Sequence, residues 1–487
     1  MDYRTTTELA KEWGISARRV ALLCEEGRLD GAIKKGKTWI IPSNVSKPND
    51  GRTKNIKLYL DEYKRMEQQF NVVYPDSDNA TYTSLLNYSD DLGKPFQRWY
   101  RYKEGFSIDL VKHLIREYSN RKGIILDPFL GSGSTILAAR EMGYEGIGYE
   151  VNPFSFFLSE CKLRKYSLKD INSFKKSFET ILKTAVNKDV KYKLPLLSIS
   201  NKVFTPEVER YYMSVGTLIE EEKGVNDRVR DLLRIGWLAC LESLSRYRKA
   251  GNGLKIKRYV KPREVTASDA QVMLLEEYQN IYIDLLRENA WEKYKMFNKS
   301  SINMGSDIDA KTVEGIIFSP PYANCFDYTE IYKLELWFGN FVSDYADLKS
   351  LRQESLRSHL NSDLANKATL DSDFLNVLLA ELKTKDLWDT RIPDMLNAYY
   401  ADMFTVIEES YKVLRKGGFC CIVVGNSAYG GIVFPADLLL AEHAKKVGFK
   451  VDKIEVDRYI ITSSQQYEMT KESGKYLRES VVCLVKA

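Results

Sequence analysis

The chain has 487 residues, 44% hydrophobic and 29% charged, with a formal net charge of +5. That balance suits a folded protein of two or three domains, and so small a net charge leaves any attraction to nucleic acid to local patches. The longest apolar runs, such as FCCIVVG at 419–425, are too short for a membrane span, the polar start MDYRTTTELAKEWG carries no export signal, and seven scattered cysteines with three histidines predict reduced thiols and no metal site, so a cytoplasmic protein is expected.

Residues 1–43 are expected to form a unit of their own. TTTELAKEWGISARRVALLCEEGRL predicts a short helix, a turn at Gly14-Ile15-Ser16 and a second helix. Thr6 or Thr7 is the expected cap of the first helix and Ser16 of the second. GAIKKGKTWIIP then predicts a two-stranded wing turning at Lys35-Gly36-Lys37. This pattern resembles the winged helix-turn-helix of MerR and excisionase-type DNA binders, which implies that Arg18 and Arg19 meet DNA from the start of the second helix. A small structural or dimerising unit is the alternative.

PSNVSKPNDGRTKN, at 42–55, has linker composition, and a helical pattern follows, so 44–80 is expected to be linker and helix. From Gly123 onward, strands alternate with helices: IILD, a helix from Thr135, GIGYEV, later GIIFS and FCCIVVG. Such alternation predicts an α/β fold with a doubly wound, mostly parallel sheet. Helical insertions interrupt it at 171–299 and 340–400, and the C-terminal VDKIEVDRYIITSS and ESVVCLVKA predict a closing antiparallel pair. The expected division places a cofactor-binding half at 81–170, the main insertion at 171–299 and a catalytic half at 300–487.

In GIILDPFLGSGSTILAAREMGYEGIGYEVNP, 123–153, a buried strand ends at Asp127 and a Gly-rich turn leads into a helix. Ligand crevices of open α/β sheets lie at such carboxyl ends. A dinucleotide fingerprint would need a third glycine where Ile136 stands, and a phosphate loop would need a lysine that is absent. A non-phosphate ligand approaching the backbone closely remains. Glu150, ending the next strand, can accept hydrogen bonds from both hydroxyls of a ribose.

Asp127-Pro128-Phe129-x-Gly131-x-Gly133 with Glu150 resembles the S-adenosylmethionine motifs of amino-directed DNA methyltransferases, the enzymes of cytosine N4 and adenine N6. The resemblance spans about 81–165 and 300–487 and implies the class I S-adenosylmethionine-dependent methyltransferase fold. It implies that Pro128, Phe129, Gly131 and Gly133 line the cofactor, that Glu150 holds its ribose, and that Asp127 holds the loop or the cofactor's ammonium. MGSDIDA, 304–310, nominates Asp307 for the adenine amino group, and KPFQRWYRYKEGFS, 94–107, nominates Phe106 and Ser107 for the methionine end. Trp99, Tyr100 and Tyr102 are expected in a core aromatic cluster.

Ser319-Pro320-Pro321-Tyr322 resembles the catalytic motif of the same enzymes. An exocyclic amino group is a poor nucleophile because its lone pair is delocalised into the ring. Acceptors aimed at its two N–H bonds favour a pyramidal nitrogen, and Ser319 Oγ and the Pro320 carbonyl are the natural pair. Pro321 restricts Pro320 to extended backbone, which sets where that carbonyl points. Tyr322 offers a ring on which a flipped base can stack. Asn324, Asp327 and Tyr328 are expected to shape the base pocket, and Gly425-Asn426-Ser427 to lie at the carboxyl end of the fifth strand.

RYRKAGNGLKIKRYVKPR, 246–263, carries eight Lys/Arg and no acid. Arg246, Arg248, Lys249, Lys255, Lys257 and Arg258 are candidate phosphate contacts, a solvated loop being the alternative. The insertion around them is the expected target-recognition region, with 340–400 second. The expected function is site-specific methylation of double-stranded DNA, cytosine N4 ahead of adenine N6, in restriction-modification or phage defence beside a cognate restriction endonuclease. RNA or tRNA methylation, or a DNA-binding regulator with a vestigial sheet, are the alternatives.

Overall fold

A computed structural model of the chain describes residues 3–36, 38–48, 51–82, 85, 88–103, 105–187, 190–251, 253–257, 264–287, 293–365, 368–460 and 470–487. Two compact units divide it, Met1–Met66 and Glu67–Ala487.

In the first unit, strand β1 (Tyr3–Thr5) runs into the helix Thr6–Trp13, a second helix spans Ala17–Glu25, and β2 (Ile33–Lys35) and β3 (Thr38–Pro42) follow. The first helix is capped by Thr5 rather than Thr6 or Thr7, in a reciprocal arrangement with Glu8, while Ser16 caps the second. The two-stranded wing gains a third strand, because β1 pairs antiparallel with β3 to give the order β1-β3-β2. Leu9, Val20, Leu23, Leu29 and Ile41 close a small core between helices and sheet. Arg18 is exposed on the second helix, and Arg19 lies 3.8 Å from Glu26.

The second unit is built on one sheet. Its strands in chain order are β4 (Val72–Val73), β5 (Ile124–Asp127) and β6 (Glu145–Tyr149), then the hairpin β7 (Tyr247–Ala250) and β8 (Gly253–Ile256) outside the sheet, then β9 (Tyr294–Phe297), β10 (Val313–Phe318) and β11 (Leu414–Gly425). A small hairpin, β12 (Ser427–Tyr429) and β13 (Ile432–Phe434), precedes β14 (Phe449–Tyr459) and β15 (Arg478–Lys486). Eight of them form the sheet, in the order β4-β14-β15-β11-β10-β5-β6-β9. From β11 to β9 every neighbour is parallel, and β15 pairs antiparallel with both β11 and β14. The run VEGIIF of β10 is buried at every position, the burial expected of a central strand with both faces covered.

From the centre the chain steps β5 to β6 one way and β10 to β11 the other. Right-handed crossovers then put their helices on opposite faces. The helices Ile108–Tyr118 and Ser134–Glu141 pack on each other, and Ile392–Val413 and Ala436–Val447 form the other pair. The insertion expected at 171–299 begins slightly earlier, and its helices Leu168–Asn187, Pro206–Glu221, Asp227–Ala239 and Ala267–Leu285 pack mutually as a layer of their own. Asp284 ties it to the segment before β5, accepting from the Phe96 amide and the Trp99 indole at 3.0 Å and from Arg98 at 2.6 Å. Trp99, Tyr100 and Tyr102 are buried there. No helix among the described residues is long and apolar enough to cross a membrane.

Candidate active site

Neighbouring parallel strands whose connections leave in opposite directions open a crevice at their carboxyl ends. Here those strands are β5 and β10, paired through Leu126 and Ile316. The Gly-rich turn leaves β5 at Asp127 and the Ser-Pro-Pro-Tyr turn leaves β10 after Phe318. The rings of Phe129 and Phe318 meet with centroids 5.5 Å apart, so the two turns touch. An open cleft of about 1030 Å³ lies above them, walled by Phe106, Pro128, Phe129, Gly131, Glu150, Ser319 and Pro321 among others.

The turn after β5 is held from below. Asp127 Oδ1 accepts from the Phe129 amide at 2.9 Å, while its buried Oδ2 has no hydrogen-bond partner. Burial pushes this carboxyl up to about 7. Glu150 accepts from the Gly131 amide at 2.8 Å and from Asn152 at 2.7 Å, which closes the turn against the end of β6. Burial and the Asp127 charge push Glu150 up to about 7 against those two amides. Gly131 and Gly133 have φ of +52° and +86°, left-handed backbone that favours glycine. A Cβ on Gly131 would stand 3.3 Å from the Tyr102 ring, so that ring packs closely against the turn at this position.

A buried amine supports the turn from behind. Lys162 donates to the Ser132 carbonyl at 3.1 Å and to Gln97 Oε1 at 3.4 Å, and Gln97 donates to Ser134 Oγ at 2.9 Å. Burial pulls the Lys162 amine down to about 7.

Beside Ser319 a second pocket of about 460 Å³ opens, lined by Tyr322, Asn324, Phe326, Arg458 and Glu479 and sharing Gly105, Phe106, Ser319 and Tyr328 with the cleft. The Tyr322 hydroxyl donates to Glu479 Oε1, and Arg458 Nε donates to Glu479 Oε2 at 2.6 Å. A Cβ on Gly425 would stand 2.7 Å from the Tyr322 ring, so one side of that ring rests on the β11 backbone. Burial and the Glu479 charge raise the Tyr322 phenol well above its usual range. It stays a neutral donor.

On the far wall, Asp327 accepts from Thr329, from Arg352 Nε at 2.9 Å and from Asn361 at 3.0 Å. Burial alone would raise this carboxyl, but His359, Thr329, Asn361 and Arg352 hold it below the carboxylate range. His359, Ser355 and Ser358 line the cleft beside it.

Several candidate residues stand elsewhere. Asp307 does not line the cleft; it takes Lys299 at 2.7 Å and the Tyr149 hydroxyl at 3.1 Å, and Ser300, Ser301 and Ile302 form that wall instead. Ser107 is buried as the N-cap of Ile108–Tyr118. Gly133 lies behind the turn, under Ser159, and Asn426 is buried against Asp437. Pro320 is buried between the cleft-lining Ser319 and Pro321.

In the basic hairpin the charges divide. Lys249 points inward, its amine 2.6 Å from Glu335 and bonded to the Tyr100 hydroxyl, and Lys257 donates to the Glu242 and Ser243 carbonyls at 2.8 and 3.0 Å. Neither is free to meet a phosphate. Arg248 and Lys255 sit directly opposite each other across the β7–β8 ladder, both exposed, and Arg246 is exposed with Glu264 at 3.5 Å. Arg258 lies outside the described residues.

Sequence reasoning missed Arg458, Glu479, Lys162 and His359. The nearest signal was the closing antiparallel pair, whose charged ends fall beside the carboxyl end of β11.

A DNA methylase family model matches residues 31–160, which includes the Asp127 turn and Glu150. The chain is 28% identical over 451 residues to the Type II methyltransferase M.AvaI of Nostoc sp., covering 85% of this chain and 90% of that protein. It is 25% identical over 476 residues to the Type II methyltransferase M.BsoBI of Geobacillus stearothermophilus, covering 87% and 92%. With the Type II methyltransferase M.MjaII of Methanocaldococcus jannaschii it shares 29% identity over 170 residues, 34% of this chain and 30% of that one.

Proposed function

We propose that the chain is an amino-directed DNA methyltransferase, as its family match and relatives support, and that it transfers the methyl group of S-adenosylmethionine to an exocyclic amino group of double-stranded DNA, cytosine N4 ahead of adenine N6. One observation carries the reading: Ser319 stands on the wall of both the large cleft and the polar pocket, so a group held there faces both.

The residues present fit the cofactor. Gly131 lines the cleft without a side chain, Glu150 stands on its wall where a ribose could be held, and Phe106 and Phe129 supply apolar wall. The buried Asp127 Oδ2 atom without a partner suits a water. When bound, the cofactor supplies a methyl group activated by a sulfonium. Ser319 Oγ and the Pro320 carbonyl accept the two amino N–H bonds of the base and leave its lone pair free. Pro321 holds that carbonyl in place. Tyr322, resting on Gly425 and tied to Glu479, gives the base a fixed stacking face. Most of the acceleration then comes from holding the groups in line.

Arg246, Arg248 and Lys255 are assigned to DNA phosphates in the second unit, and Arg18 and Arg19 in the first. A cognate restriction endonuclease is the proposed partner, in keeping with the Type II names of the relatives. The test is to incubate the protein with labelled S-adenosylmethionine and unmethylated DNA, digest, and identify the nucleoside. N4-methylcytosine is expected. Absence of label in any DNA, with label in RNA or nowhere, overturns the reading.

A further inference from the structure

We propose that Arg458 reads the target base and makes cytosine the preferred one; this rests on the methyl-transfer reading above. The pocket beside Ser319 has two kinds of wall. Ser319 and Tyr322 come from the turn after β10, whereas Arg458 and Glu479 come from β14 and β15, the antiparallel strands that close the sheet. Those strands bring the one guanidinium among the pocket's lining residues.

The Arg458–Glu479 pair is built into the catalytic turn. Glu479 accepts from Arg458 Nε with one oxygen and from the Tyr322 hydroxyl with the other. The ring on which the base would stack and the cation beside it are therefore positioned by a single carboxylate. Glu479 is mostly buried, while the Arg458 side chain is 59% exposed. The two terminal nitrogens of Arg458 make no hydrogen bond to a described residue, and the exposed side chain leaves those donors available to an acceptor in the pocket.

The chemistry of the bases says which acceptor. A base whose amino group is held by Ser319 Oγ and the Pro320 carbonyl presents a ring nitrogen next along its edge, N3 in cytosine and N1 in adenine, and both are acceptors. One position further the two differ. Cytosine carries the carbonyl oxygen O2, and adenine carries a C–H. A guanidinium meets the N3/O2 edge with two parallel charge-assisted hydrogen bonds. Against adenine one donor would face C–H and stay unpaired, and sites built to hydrogen-bond a missing group discriminate strongly.

The competing role for an exposed arginine is a phosphate contact, and the experiment separates the two. Wild type, Arg458→Met and Arg458→Lys are compared for methyl transfer to duplex DNA, for S-adenosylmethionine affinity and for DNA affinity as a function of salt, with the product nucleoside identified. Expected are N4-methylcytosine from wild type and at least a 30-fold loss of kcat/KM in Arg458→Met, borne mainly by kcat. Cofactor affinity should stay within twofold and the salt slope should not change. Arg458→Lys, which keeps the charge and loses the fork, should recover only a minor part. An Arg458→Met enzyme within threefold of wild type overturns the proposal. So does a loss confined to KM for DNA with the salt slope reduced by about 0.9, the signature of one phosphate contact, and so does N6-methyladenine as the wild-type product. A wild type that labels no DNA fails the methyl-transfer reading itself, whichever residue lines the pocket.

Discussion

The turn after β5 and the β7–β8 hairpin treat charge in opposite ways. Around the turn, the buried Asp127 and Lys162 and the half-buried Glu150 make no ion pair among the described residues; backbone amides, a carbonyl and Gln97 are their partners. At the hairpin, the one deeply buried cation, Lys249, is neutralised by Glu335, and Arg248 and Lys255 stand side by side in water. Unpaired charge kept out of solvent shapes a place for a small polar ligand. Like charges aligned on an exposed ladder cost stability unless an anion lies across them. The first region suits a small polar ligand, and the second suits the polyanion proposed for it.

The sharpest way to break this contrast is at the turn that joins both pockets. Ser319→Ala removes one of the two acceptors proposed for the amino group. Loss of a comparable single transition-state hydrogen bond costs about 10²–10³ in kcat, so labelled methyl transfer should fall by that order while cofactor affinity stays near wild type. A variant within a few-fold of wild type would remove Ser319 from the chemistry. Comparable in size is Lys249→Met, which leaves Glu335 buried without its ion-pair partner. Removing one partner of a buried pair costs about 3–5 kcal/mol, to be read in denaturant unfolding. If Lys249 were instead a phosphate contact, stability would hold and DNA affinity would fall.

The pH dependence of stability sharpens the other side. Folded Asp127 and Glu150 keep their protons up to about 7, whereas their ordinary values are 3.8 and 4.5. Between those limits the folded state binds more protons than the unfolded chain, so their contribution makes stability fall as pH rises from about 4 to 7. Lys162 acts above that window. The unfolded amine holds its proton up to 10.5 and the folded one only to about 7, so its contribution makes stability rise from about 7 toward 10.5. Denaturant unfolding across pH should show Glu150→Gln flattening the lower limb and Lys162→Met the upper one. Unchanged limbs would mean that the buried groups are paired in solution.

What the sequence made legible follows the same division. The turns at 127–133 and 319–322 could be read because their demands are local: left-handed backbone at Gly131, a doubly restricted Pro320, an acid at a strand end. Asp307 could not, because its fate depends on Lys299 and Tyr149, which only the folded chain brings to it. Ser107 was drawn into capping the helix Ile108–Tyr118 instead. Lys249, Lys257, Arg248 and Lys255 belong to one basic run, and nothing in its composition says which amines turn inward; the acceptors that decide it, Glu335 and the Glu242 carbonyl, lie outside the run. Arg458 and Glu479 reach the pocket on strands that follow Ser319 by well over a hundred residues. Sheet order, which spacing does not encode, puts them there.

The smallest effect tests the hairpin most directly. Arg248→Ala and Lys255→Ala touch exposed side chains with no ion-pair partner among the described residues, so neither should lower stability measurably, and removing one of two facing cations relieves a repulsion. Each contact with a B-DNA phosphate contributes about 0.9 to the slope of log affinity against log salt. Each single variant should therefore reduce the slope by about that amount, and the double variant by about twice it, with the same loss on target and unrelated DNA. Equal losses across sequences mark backbone contacts, which position the duplex without reading it. A loss confined to the target sequence would make the hairpin a reader of bases. An unchanged slope would leave Arg248 and Lys255 as a solvated surface and move the DNA track elsewhere on the insertion.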